Sequence, residues 1–139
     1  MCRQPVGILL KQITDKIKVS ADASLKSRGL TFSQGRMLKF VSGYPDGVTQ
    51  KAIETHFQVS HPTVVGIITR MEKNGYLDCW PDPEDKRNKM VRLTSKARPV
   101  AREMEQEMDK QEKKLLQGLS EEQVDNLYEI LYRIFENVK

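Results

Sequence analysis

The chain reads as mainly α-helical with one small β-hairpin wing, on three grounds. Apolar residues recur at helical spacing through most of its 139 residues. Two short segments, Leu77–Trp80 and Met90–Thr94, alternate apolar and polar instead, and residues 81–89 between them are polar and proline-broken, too long for a tight turn. Glycines and capping residues punctuate the helical runs where each should end or begin.

The first helix spans about residues 5–27, where Val6, Leu9, Ile13, Ile17 and Ala21 recur every three or four positions and Gly29 closes the run. A capping box, Thr31 with Gln34 three residues later, opens the second, which runs to about Val41. Tyr44-Pro45-Asp46-Gly47 is a strong turn. Thr49 caps a short third helix expected to turn Ala52, Ile53 and Phe57 inward. The fourth follows Gln58-Val59, with Val64, Ile68 and Met71 as its apolar stripe and Gly75 as its stop. Its N-cap is either Ser60 or His61, because the residue before Pro62 avoids helical backbone. After the hairpin, Val100, Met104, Met108 and Leu115 mark a long helix over about 98–117, which Pro99 should delay or bend and Gly118 breaks. Ser120 and Gln123 box the start of the last helix. There Val124, Leu127, Leu131, Ile134 and Val138 follow a heptad-like seam suited to helix–helix association. Helix, short helix, fourth helix and hairpin in this order make a winged helix-turn-helix at residues 30–94. Helical arms at 1–29 and 95–139 flank it as N- and C-terminal dimerisation helices, in one intertwined domain.

The length suits one domain, and with aromatics at 6% some apolar surface is expected to need a second subunit. The net charge of +4 favours a polyanionic partner. Residues 1–94 carry 15 Lys and Arg against 9 Asp and Glu, whereas residues 95–139 carry 8 against 10, so the basic excess sits with the winged region. Two cysteines, Cys2 and Cys79, cannot make a disulfide framework, and no metal-clip spacing occurs. The two histidines, His56 and His61, are too few for transition-metal sensing, so no metal is assigned. No apolar run approaches the roughly 18 residues that span a bilayer, and no secretory leader is evident. A reducing cytoplasm is the expected location, with no membrane partner. No phosphate loop, nucleophile elbow or paired carboxylates point to catalysis or a cofactor, so the chain is not expected to be an enzyme.

The fourth helix is prepared to enter a DNA groove, having an apolar back and an outer face of short polar groups. Its N-terminus presents free amides and partial positive charge, which places Ser60 and Thr63 near phosphates or base edges, with His61 beside them. Thr69 and Arg70 lie further along, Arg70 being able to read a guanine or meet a phosphate. On the wing, Arg87 can enter a minor groove, and Asp85, two residues earlier, is placed to orient it. Cys79 reads as a small buried hydrophobe, with a redox-active thiol as the alternative.

Leu30-Thr31-Phe32-Ser33-Gln34, Thr49-Gln50-Lys51-Ala52-Ile53, Val59-Ser60, Thr63-Val64 through Arg70-Met71-Glu72-Lys73-Asn74-Gly75, and Asp85-Lys86-Arg87 with Leu93-Thr94 together resemble the multiple-antibiotic-resistance regulator (MarR) family of winged helix-turn-helix transcription factors. The resemblance implies a homodimer whose first and last helices interlock, with Leu9 and Ile13 joining the C-terminal seam. It implies a palindromic double-stranded operator, usually for repression, and a small effector or oxidant that loosens the grip. It also adds Thr49, Gln50, Lys86 and Lys89 to the DNA-facing set. The alternatives are a thiol-based redox sensor of the same fold and a winged-helix adaptor that binds protein rather than DNA.

Overall fold

The computed structural model describes residues 2–139. Its elements run α1 (Val6–Leu25), a 3-10 turn (Lys26–Arg28), α2 (Phe32–Ser42), β1 (Val48–Thr49), α3 (Gln50–Phe57), α4 (His61–Lys73), β2 (Leu77–Pro81), β3 (Lys89–Leu93), α5 (Ala97–Leu115) and α6 (Glu121–Val138). Six helices and a three-stranded antiparallel sheet are thus present, where only a two-stranded hairpin was expected. The strand order is β1-β3-β2, with Val48 opposite Val91 and Leu77 opposite Leu93.

Local chemistry sets most boundaries. Gly29 adopts the left-handed conformation (φ 67°) and donates its N–H to Lys26 O at 3.0 Å, which ends the first helical run. Both halves of the α2 capping box form, Gln34 N–H to Thr31 Oγ1 at 3.3 Å and Thr31 N–H to Gln34 Oε1 at 3.1 Å. Asp22 of α1 accepts from Phe32 N–H at 2.8 Å, so a second side chain holds the same helix start. The turn closes through Gly47 N–H to Tyr44 O at 2.9 Å. Gly47 has φ 107°, and an added Cβ would lie 2.9 Å from the Trp80 ring, so both backbone and space require glycine.

Two expectations are corrected and one open choice is settled. Ala52 is exposed rather than inward-facing, because Ile53 takes the core position and its neighbour is turned about 100° away on a helix. Pro99 does not delay the start of α5, which begins at Ala97. It is the third helical residue, where the missing N–H would have had no partner within the helix. The open choice of cap for α4 resolves to Ser60, whose hydroxyl accepts from Thr63 N–H at 3.4 Å, leaving His61 and Pro62 as the first two helical residues.

By its internal contacts the chain divides into Met1–Gln106 and Glu107–Lys139, a boundary that falls inside α5. The first unit holds the core. Met37, Leu38 and Val41 of α2, Ile53 of α3, Val64, Ile68 and Met71 of α4, and Leu77 and Val91 of the sheet are fully buried. Leu25, Ala97, Ala101 and Met104 join them, so α1 and the front of α5 pack with the winged region. Ile68→Ala is expected to cost about 2–5 kcal/mol, because a packed site collapses only partly around a lost side chain. A urea titration should show a lower midpoint with an unchanged slope.

The second unit is a helical hairpin turned at Gly118. Ser120 and Gln123 form the second capping box, at 3.1 and 2.9 Å. Tyr128 Oη donates to Glu112 Oε1 at 2.9 Å, which raises the tyrosine pKa. No residue of α6 is buried.

Candidate nucleic-acid interface

The helix-turn-helix is built by three local devices. Thr49 Oγ1 accepts from Ala52 N–H at 3.1 Å and caps α3. Gln58 then takes a left-handed conformation (φ 53°), a state few side chains adopt, and this reverses the chain into α4. Ser60 caps α4, and its hydroxyl also lies 2.8 Å from Thr63 Oγ1. With Val64, Ile68 and Met71 buried, the exposed face of α4 carries His61, Thr63, Gly66, Thr69 and Arg70. Short side chains dominate that face, so the backbone can approach a surface closely.

Two residues of α3 meet the start of α4. The Glu54 carboxylate bonds His61 Nδ1, and Gln50 Nε2 lies 3.3 Å from the same nitrogen. Because a carboxylate only accepts, Nδ1 donates to it, and Nε2 is the ring nitrogen left for another partner. Gln50 is only 7% exposed. Its expected place on the DNA-facing surface is therefore corrected: the side chain packs between α3 and the start of α4. Glu54 was not singled out from the sequence, where a carboxylate seven residues before a histidine has no meaning until the turn folds.

The wing is ordered by its own carboxylates. Asp82 N–H donates to Asn88 O at 3.0 Å, and Asp82 Oδ1 accepts from Glu84 N–H at 3.0 Å. Asp85 Oδ1 accepts from both the backbone N–H and Nε of Arg87, each at 3.1 Å, while Oδ2 faces Nη2 at 3.4 Å. The Arg87 side chain is nevertheless 92% exposed. It is a guanidinium held in one direction with its other donors free. The Arg87 side chain, then its backbone N–H, and then the charge of Lys51 hold the Asp85 carboxyl below its usual range. Lys51, at the start of α3, is a second residue that sequence reading missed. Its charge helps to hold the Asp85 carboxyl down, less than Arg87 does. Lys86 is exposed and Lys89 half-buried in β3. Asp82, Glu84 and Asp85 oppose these cations, so no single patch is strongly basic.

Cys79 lies in β2 opposite Val91, half-buried and packed against the core. Burial, then the hydrogen bond and charge of Glu72, push its thiol up to about 12. The thiolate is therefore scarce at neutral pH, which makes this a poor nucleophile and disfavours the redox alternative. Iodoacetamide at pH 7.5 should label Cys2, which is exposed, far faster than Cys79; peptide mass mapping reads the difference.

His56 stacks on Phe40, with ring centroids 4.1 Å apart, within an aromatic group that includes Phe57. No helix among the described residues is long and apolar enough to cross a membrane.

The MarR family profile matches residues 28–88, which take in α2 to the wing tip. Solved structures extend the likeness to nearly the whole chain. MepR of S. aureus, crystallised in a complex with DNA, is 25% identical over 99% of this chain and 100% of its own, with a TM-score of 0.92. The transcriptional regulator SlyA is 26% identical over 97% and 94%, with a TM-score of 0.89. The transcription regulator MarR from Oenococcus oeni PSU-1 is 28% identical over 95% and 99%, with a TM-score of 0.82.

Proposed function

The chain belongs to the MarR family of winged helix-turn-helix transcriptional regulators, and from that premise we propose that it acts as a homodimeric, ligand-responsive repressor on a pseudo-palindromic operator. The family regulates transcription and is not one of enzymes. The observation that carries the reading is the pairing of an α4 face made of short polar groups with a wing arginine aimed by Asp85. DNA binding is further supported by the similar structure crystallised with DNA.

In this reading α4 enters the major groove N-terminus first. Ser60, His61 and Thr63 meet phosphates or base edges there, and Thr69 and Arg70 meet them further along. Arg87 enters the flanking minor groove, where narrow A·T tracts concentrate negative potential. Thr49, Lys51, Lys86 and Lys89 add cations and donors along the backbone. Two protomers set their α4 helices about 34–36 Å apart, one turn of DNA. Leu9 and Ile13 of α1 and the α6 seam supply apolar surface for the pairing, since all of it is exposed or half-buried on the protomer. An effector that binds better to a different spacing of the two winged regions shifts the population away from the operator-competent form. A coupling of about 1–3 kcal/mol suffices for a useful switch.

Because the wing mixes both signs of charge, affinity should rest on contacts summed over the dimer and fall steeply with salt. The test is a protection footprint on DNA upstream of the protein's own gene, at two salt concentrations, in the cytoplasmic pH range. The reading requires a symmetric protected site that weakens at the higher salt. Uniform background protection would reject it in favour of an adaptor that does not bind DNA.

A further inference from the structure

A cleft of about 390 Å³ opens on the first unit, and none of its lining residues is among those assigned to DNA. Arg92 of β3 and Arg98 and Arg102 of α5 line it, together with Tyr44 and Pro45 of the α2–α3 turn and Glu105. Arg98 and Arg102 are four residues apart and so share one helix face. None of the three guanidiniums has an ion-pair partner among the described residues. The site is also electrostatically uncompensated by its helix. The first turn of α5 holds no acidic residue and does hold Arg98, where the partial positive charge of a helix N-terminus favours the opposite sign.

We propose that this cleft binds a phosphomonoester carrying a flat ring, of which a nucleoside monophosphate is the fitting class. Charge selects the phosphate. Three guanidiniums against the single Glu105 leave two positive charges, which a phosphate dianion balances and a monocarboxylate does not. Arginine forks also match phosphate oxygens in pairs. Shape selects the ring. Tyr44 is 44% exposed at the cleft wall, and Phe40 backs it at 5.2 Å between centroids, so a rigid aromatic face stands open for stacking. The volume lies in the range of ordinary small-molecule sites, about 300–1,000 Å³. The proposal concerns binding alone and does not depend on operator recognition.

Trp80 is the only tryptophan, and Arg92 lies over its ring at 4.9 Å, so its fluorescence reports on the cleft. The full chain is titrated with adenosine monophosphate, adenosine and inorganic phosphate, with calorimetry beside the fluorescence. AMP should give a saturable change and bind at least tenfold more tightly than phosphate, and adenosine should give none. The Arg98→Ala/Arg102→Ala double variant should bind AMP at least tenfold more weakly with its melting temperature unchanged, since both side chains are exposed. No saturable AMP response by either method, or equal binding by adenosine, or an unchanged double variant, would overturn the proposal. Phosphate binding as tightly as AMP would overturn the ring contact. If AMP has no effect while the double variant loses DNA affinity and some of its salt dependence, the arginines belong to the nucleic-acid backbone instead.

Discussion

Arg87→Ala is expected to weaken operator binding by roughly 30-fold or more, because a specific arginine contact carries about 1–3 kcal/mol and a dimer loses two of them. Fluorescence anisotropy with a labelled duplex reads the loss, and circular dichroism should be unchanged. The side chain is 92% exposed and, among the described residues, bonds only to Asp85, so nothing in the fold rests on it. Asp85→Ala separates orientation from charge. Removing the carboxylate takes away a repulsion toward DNA, which alone would raise affinity. It also frees Arg87 and deprives its backbone N–H of an acceptor. An exposed charge interaction is worth only about 0–1 kcal/mol and is screened by salt, so orientation should dominate. Affinity is therefore expected to fall, by less than in Arg87→Ala. A rise in affinity would mean that Asp85 only tunes charge.

Leu131→Asp is expected to convert a dimer to a monomer at micromolar concentration and to reduce operator binding to background. Leu131 is 38% exposed on the protomer, within a seam of which no member is buried. Only the exposed 38% of Leu131 is left to cover, so pairing gains roughly a third of the 1.5–3 kcal/mol of a full leucine burial, doubled by the two-fold axis. A carboxylate placed there must also be desolvated without a partner. Sedimentation velocity reads the mass, and anisotropy reads the binding. A variant that stays dimeric would place the interface elsewhere than α6. Helix content should fall slightly too, since an unpartnered helix of 18 residues is marginal in water.

What was legible in the sequence was local or periodic. The capping boxes at Thr31 and Ser120 act across three residues, so their spacing alone marks a helix start. The Val64, Ile68 and Met71 stripe reports its burial because helical repeat and core contact coincide. Asp85 and Arg87 could be paired on paper for the same reason. What was missed arises from contacts between distant segments. Strand β1 is two residues long and exists only because Val48 and Thr49 pair with β3, more than forty residues on. Gln50 looked surface-bound at a helix start, and only the α3–α4 packing buries it against His61. The influence of Lys51 on Asp85 likewise needs the wing to fold back beside α3. Pro99 misled because its effect depends on where the helix begins, and that start lies within the Thr94–Ala97 turn, where Ala97 N–H bonds Thr94 O and Oγ1.

The most direct test is selection by the purified full-length protein from a random double-stranded DNA library, with sequencing of the bound pool. Recognition by a symmetric pair predicts an inverted repeat whose half-sites are centred about one helical turn, or 10–10.5 base pairs, apart, with A·T-rich flanks beneath the wings. A bound pool indistinguishable from the input, or a single unrepeated half-site, would contradict it.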